Sequence, residues 1–519
     1  MKNAFLAVSL LLCFHSSFSQ QQDSTSVAVS VRNKSFAADS ASFALYNFAI
    51  KSPFFMNAIP TGFNVISIGH KYADGDYIAG QDAEKIQQTY LQTEGKTMLG
   101  DVALWGAFSF QNIKEDSTRW AHQTRNNLST PFYFGSPALV NYNRRIYQFR
   151  AAANRNIIGN KLPVGLGLDY RIGDHYSTND PRGQVSDYQF NLSAILGYQF
   201  SSRFKAGAGA HYGYGQERTN VAYKNRAYFE STVYPDYVNY IVNGYGSPFP
   251  RAGDRRFENN QTRMGFDAFL GFVDDALGDI NIKTSFTRED QEYRFRSTST
   301  ALNQELNDYQ LNSYLIDVVW NKKIGDKQLT AILNYSNIDG SDYNYSYGAN
   351  NYLYNQNQWS AKLLYHKAGK TAWNYLLEVS KNGEERQDGI YGNVIGYERL
   401  NIKPGVGLIL QRSTEQSWGI HLSGIYSMAV AERFIVPGVM KDRFTQQVIL
   451  HDYLYHTSDF FGGTLSGEYS FPGYKKIQTS IRAAVSYQDV LNFRAINSMV
   501  TSVPGNNRVW ADLSLNFYF

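Results

Sequence analysis

General-base or nucleophilic chemistry in this sequence would have to come from nine scattered histidines and the serines and carboxylates near them. His70, His211, His366 and His421 fall on segments that read as strands, and His15 lies in the N-terminal leader. Acyl hydrolysis needs a serine, a histidine and an orienting Asn or Asp within hydrogen-bond reach. No spacing marks such a set, and His211 and His421 are expected on an inner, water-facing surface, away from a lipid substrate. No catalytic residue is assigned, and the chain reads as a non-enzyme. Asp74-Gly75-Asp76 and Asp339-Gly340-Ser341-Asp342 carry oxygens of the kind calcium takes. Asp and Gly are equally turn residues, and both runs are read as loop turns. There is no recognisable metal-ligand spacing and no phosphate-cradling glycine loop, so neither a metal nor a cofactor is expected.

A second chemistry is charge on one face of a wall. Arg150, Arg171, Lys205, Lys283, Lys362, Lys403 and Arg482 alternate with apolar neighbours, as do Asp169, Asp267, Asp317, Glu378, Glu468 and Asp512. If the apolar neighbours face lipid, these thirteen residues face a lumen. Their signs nearly balance, which argues against a strongly selective ring of one charge and for pairing across the interior or a weakly selective pore.

The elements that must position them are strands. Val164, Leu166, Leu168, Tyr170 and Ile172 alternate with Gly165, Gly167, Asp169 and Arg171. The same period of two recurs over 188–199, 204–212, 264–272, 359–365, 373–379 and 477–485. Successive side chains of a strand point to opposite faces, so this is the strand period. The last run, Val509 to Phe519, sets Val509, Ala511, Leu513, Leu515, Phe517 and Phe519 against Asp512, Ser514 and Asn516. Aromatics make up 15% of the chain, with 39 Tyr and 33 Phe. They sit mostly at the ends of the runs, where membrane barrels carry their belts.

Short connections fall near 159–161, 201–202, 275–278, 325–326, 368–369, 413–414 and 472–473. Long ones fall near 113–143, 217–261, 290–308, 341–356, 384–395, 429–458 and 490–506. The expected fold is all-β, a transmembrane antiparallel β-barrel of about 18 strands (16 or 20 are the alternatives), with short periplasmic turns and long extracellular loops. Loop 217–261 is rich in rings, among them Tyr223, Tyr228, Phe229, Tyr234, Tyr237, Tyr240, Tyr245 and Phe249. Loop 113–143 holds Trp120, Phe132, Tyr133, Phe134 and Tyr142. Exposing so many rings would be costly, so a capped mouth is the default expectation.

The chain starts like an exported one. Met1-Lys2-Asn3 precedes a mostly apolar stretch, Ala4 to Phe14, too short to span a bilayer, and Ser17-Phe18-Ser19 gives small residues before a cut at Gln20. The single cysteine, Cys13, falls inside this leader, and bulky Leu12 before it argues against a lipid anchor. Net charge is +4, or +3 once Lys2 is removed (4 − 1), too small to suggest nucleic acid. The expected organisation is a signal peptide (1–19), a periplasmic segment or small lumen plug (20–62), and a barrel (63–519).

The leader, the recurring strands, the Tyr-rich loops and the terminal Leu513-Ser514-Leu515-Asn516-Phe517-Tyr518-Phe519 together resemble a poorly characterised family of outer-membrane barrels of Bacteroidota, about 500 residues long. The strand from Phe63 to Tyr72 and Gly106-Ala107-Phe108-Ser109-Phe110 share that family's pattern. The resemblance implies an outer-membrane location and recognition of Leu513, Leu515, Phe517 and Phe519 by the barrel-insertion machinery. It carries no catalytic motif. No TonB box is seen, and there is no room for a TonB-receptor plug of usual size. The functions expected from the whole are a porin-like or ligand-specific transport barrel, a non-catalytic subunit docking with envelope proteins, or, third, a lipid hydrolase.

Overall fold

The computed structural model describes residues 40–519, except 60–61, 160, 230–232, 252, 254, 297–303, 414, 438–441, 475–476 and 497–499. The expected signal peptide, 1–19 with Cys13, and residues 20–39 of the expected lead-in lie outside the described residues.

The chain opens with helix α1 (Ser40–Ala49) and a 3-10 turn (Pro53–Ala58). Proline at the first position of the turn lacks an N–H that would go unpaired there, and Ser52 Oγ accepts the Phe54 N–H at 3.3 Å. The strands follow: β1 (Asn64–Asp74), β2 (Lys85–Leu99), β3 (Val102–Thr118), β4 (Phe132–Gly135), β5 (Val140–Ile157), β6 (Leu162–Ser177), β7 (Arg182–Gln199) and β8 (Phe204–Ala222). Next come β9 (Tyr240–Asn243), β10 (Phe249–Pro250), β11 (Arg256–Asp274), β12 (Gly278–Phe295), β13 (Glu305–Ile324), β14 (Lys327–Asn344), β15 (Tyr352–Lys367), β16 (Thr371–Asp388), β17 (Asn393–Gln411) and β18 (Ser417–Ile435). A π-helical turn (Thr445–Ile449) leads into helix α2 (Leu450–Thr457), and β19 (Asp459–Pro472), β20 (Gln478–Asn492) and β21 (Asn507–Tyr518) complete the chain.

Eighteen of these strands form one antiparallel sheet in chain order, and β21 pairs with β1 to close it. The remaining three, β4, β9 and β10, form a small separate sheet in the loops. Closure removes the edges that lipid could not hydrogen-bond. The apolar faces look outward. On β7, Leu192, Leu196 and Tyr198 are exposed, while Ile195 between them is buried. From Tyr188 to Tyr198 this outer row runs roughly 34 Å at ~3.4 Å per residue. At a tilt of ~40° that is about 26 Å of height, close to the ~25 Å band of membrane barrels.

The short turns gather at one end. At Gly325-Asp326 the register runs Ile324 against Lys327, and Gly325 takes φ +60°, where a side chain would be strained. The long loops gather at the other end, but the strands reach further into them than the sequence suggests. The expected loops 217–261 and 384–395, for example, shrink to 223–255 and 389–392. The physical reason is that the outside changes from lipid to water. Above the apolar band the outward row of β11 and β12 becomes Arg256, Glu258, Asn260, Arg288, Asp290, Glu292 and Arg294, so the apolar–polar alternation ends while the backbone ladder continues. The reading of Asp339-Gly340-Ser341-Asp342 as a loop turn is corrected for the same reason. These residues lie on β14, where Asp339 looks outward and Asp342 inward.

Candidate functional site: the occupied lumen

The segment Ser40–Ile59 lies inside the ring. Helix α1 meets β13, β14 and β15, and the 3-10 turn meets β3, β5, β6 and β7 on the opposite side. Such a spread of partners is available only from within. Its rings carry the apolar part of the contact: Phe54 stacks on Phe269 at 5.1 Å, and Phe48, Phe55 and Met56 are buried with Trp105, Ile195 and Val319. Its polar groups are held by the wall. Tyr46 donates to Glu94 at 2.6 Å, and Trp105 Nε1 donates to Tyr46 at 3.3 Å. Lys96 donates to the carbonyls of Met56 and Ile59 at 2.7 and 2.6 Å, and Asn154 to that of Pro53 at 3.0 Å. Lys51 pairs with Asp317 at 2.9 Å, and Lys283 donates to the Lys51 carbonyl just beyond the end of α1 at 3.2 Å. Ammonium groups at free helix-end carbonyls are favourable.

The thirteen charged residues marked from sequence all lie on inward rows. Asp267 receives His211 at 3.1 Å and lies 3.9 Å from Lys283; Lys362 pairs with Glu378 at 2.9 Å; Arg171 pairs with Asp187. Asp169 accepts from Gln148 at 3.0 Å, and Asp512 from Tyr90 at 3.3 Å. Lys205 sits over the Phe54 and Phe55 rings at 5.0 and 5.6 Å, and Arg150 over Trp105 at 5.2 Å. Lys403 stands opposite Glu378 in register, and Arg482 opposite Glu468. They form no single cluster but line the lumen on all sides. Leu513, Leu515 and Phe517 lie on the outer row of β21, and the Phe519 N–H reaches the Asn64 carbonyl at 3.3 Å.

The long-loop end is filled by the loops themselves. Strand β4, from loop 119–139, pairs with β9 of loop 223–255. Phe132 and Phe134 then pack on Phe257, Tyr293 and Phe295 of the wall. Trp120 is buried against Tyr240 and Phe444 and donates to Gln447 at 2.7 Å. The wall is lowest at β1 and β21, of 11 and 12 residues, where most other strands have 14 to 20. Helix α2 lies over that notch. It meets β17 and β18, its Asp452 accepts the Gly80 N–H at 2.7 Å, and its His451 bonds Ser502 and the Ile78 carbonyl. Part of loop 223–255 stays outside, where Tyr228 stacks on Tyr237 at 3.9 Å and Phe229 and Tyr234 remain exposed.

Burial sets the protonation of this cap. Loss of water pushes Asp452 up to about 7, opposed by the Gly80 N–H and Arg386. Loss of water pushes His122 down to about 3, helped by Arg144, and His456 down to about 3 against the pull of Glu384. Both histidines are therefore neutral rings at neutral pH, and His456 stacks flat on Tyr397 at 4.1 Å.

The sequence does not mark Tyr46, Glu94, Lys96, Trp105 or Asn154 as contacts of the inner segment. A signal for that contact is nevertheless present. Gly165, Gly197 and Gly207 stand at inward positions of neighbouring strands. A Cβ on Gly165 would meet Pro53 at 2.7 Å and one on Gly207 would meet Phe54 at 2.6 Å. Bare backbone there admits the turn.

Among solved structures, the copper transporter OprC is similar at 6% identity and TM-score 0.41, over 88% of this chain and 83% of its own. The siderophore receptor PirA from Acinetobacter baumannii is similar at 7% and 0.37 (88% and 81%), and the outer membrane transporter YddB from Escherichia coli at 9% and 0.37 (88% and 81%). No curated protein sequence matches the chain. The sequence profile of a family of unknown function, DUF6850, matches residues 53–519, and the chain belongs to that family.

Proposed function

We propose that this chain is an outer-membrane barrel that transports a small solute through a lumen kept shut at rest. The short turns face the periplasm and the loops face outward, as is usual for such barrels. The observation that carries the reading is the segment Ser40–Ile59. It is held in the lumen by side-chain hydrogen bonds and ring contacts rather than by strand pairing, so it can leave without breaking the wall. A passive porin has no use for such an insert. Catalysis has little support: His211, His366 and His421 look inward, and outward His70 bonds Thr89 at 3.1 Å.

Planar-bilayer recording tests the reading. The intact barrel is expected to stay closed for most of the record. A variant lacking 40–59 and carrying Trp120→Ala, which empties the lumen and loosens the cap, is expected to give discrete conductance steps. Silence from that variant, correctly folded, would overturn the proposal.

A further inference from the structure

Loop 119–139 folds back on itself as a hairpin. The Trp120 N–H bonds the Ser136 carbonyl and the His122 N–H that of Phe134, at 3.0 Å each, and residues 123–130 form its tip. The tip rests on one rung of the wall, Asp187–Glu217–Asn259–Tyr293 across β7, β8, β11 and β12. Thr124 donates to Glu217 at 3.5 Å and Asn126 to Asp187 at 3.4 Å. Asn127 donates to Gln291 at 2.9 Å and to the Tyr293 hydroxyl at 3.1 Å, and the Thr130 hydroxyl bonds that of Tyr293 at 2.6 Å. All four tip groups are neutral hydroxyls or amides. The one cation of the tip, Arg125, reaches Glu115 instead, at 3.0 Å.

The seat is poorly satisfied. Arg171 Nη2, Thr219 Oγ1 and Asn259 Oδ1, on or beside this rung and at least nine-tenths buried, find no hydrogen-bond partner among the described residues, which is costly. The base of the hairpin is strained. Ser117 and Trp120 take φ of 64° and 55°, unfavourable without glycine, where the β3–β5 ladder shifts register between Glu115 and Thr118. The contact is thus weak for its burial, and it is made by groups that a solute can replace. Charges on this arc nearly cancel. Glu115 pairs with Arg144, Asp187 with Arg171 and Glu289 with Arg263, while Glu217 makes no ion pair among the described residues. Glu217 repels an anion and accepts from a hydroxyl. The Tyr293 ring, beside Phe132 and Phe257, adds an apolar side. Hydroxyls on an edge and C–H groups on a face are what a sugar offers.

We infer that the tip stands in for a solute, and that this rung, with Gln291, binds a neutral saccharide once the hairpin lifts. Sugar hydroxyls then take the places of Thr124, Asn126, Asn127 and Thr130. The site rests on the transport reading for its purpose, while its existence is tested by binding alone. Asn127→Ala with Thr130→Ala loosens the tip and leaves the wall intact. Wild-type and variant barrels, in the sugar-free detergent lauryldimethylamine oxide and verified as folded by heat-modifiable gel mobility, are mixed with maltotriose, mannotriose or chitotriose. Trialanine and spermidine serve as peptide and cationic controls, and saturation-transfer NMR reads binding. At least one saccharide is expected to bind, about fivefold or more tighter to the variant because the tip competes for the rung, and Glu217→Ala in that variant should lower the affinity about threefold or more. No saccharide bound by the loosened variant, or trialanine or spermidine bound in its stead, would overturn the ligand class. Equal affinity in wild type and variant, or no effect of Glu217→Ala, would take the site off this rung. None of these results depends on whether the barrel conducts.

Discussion

At the residue scale, the most informative positions are those where a side chain is missing. Gly207 lets the Phe54 ring lie against β8, and Lys205 on the same strand covers that ring from beside it. Gly207→Leu should push the inner segment off the wall. Overpacking costs about 1–3 kcal/mol, or roughly 5- to 150-fold in the balance between docked and free. Protease cleavage within 40–59 should rise accordingly in folded barrel, while Gly106→Ala, which meets little on the outer face, should leave it unchanged. Unchanged cleavage in Gly207→Leu would place the turn elsewhere. The charged lumen residues were legible one by one, because a period of two assigns each to a face without reference to the rest of the fold. Their partners were not, since an alternating pattern says which way a side chain points and nothing about which strand stands beside it.

At the element scale, the cap behaves as a titratable unit. His122 and His456 have folded values near 3, below the ordinary histidine value, so they contribute stability at neutral pH that is lost as pH falls from about 6.5 towards 3. Asp452 runs the other way. Its folded value near 7 lies above the unfolded one, so its contribution is present at low pH and is lost as pH rises from about 4 to 7. His451 of α2 is lowered by burial in the same sense as the two histidines, and the cap should loosen on balance between pH 6.5 and 4. Asp452→Asn should steepen that loosening, because the acid no longer opposes it. Amide exchange of residues 445–457 across this range measures it; a cap equally protected at pH 4 and 7 would contradict the assignment. Helix α2 itself escaped the sequence reading because eight residues give too few turns for a helical period to show, and its stability comes from packing. Strand ends were misplaced for a related reason: the alternation reports lipid on one side, and it fades where lipid does. The capped mouth was legible, since rings such as Trp120, Phe132 and Phe134 are too many to leave in water, although which loops would pair, β4 with β9, was not.

At the scale of the whole molecule, a closed ring of eighteen strands carries apolar rows outside, charge inside, a folded segment at one end of its lumen and folded loops at the other. Seven tryptophans are spread over these surfaces. Trp359, Trp373 and Trp418 are on the outer rows, and Trp105 and Trp120 are buried within. Tryptophan fluorescence in vesicles containing brominated lipid tests this division most directly, using variants that each keep one tryptophan and replace the others by phenylalanine. The structure predicts strong quenching of Trp418 and Trp359 and almost none of Trp105 and Trp120. Equal quenching at inner and outer positions, or none at either, would contradict it.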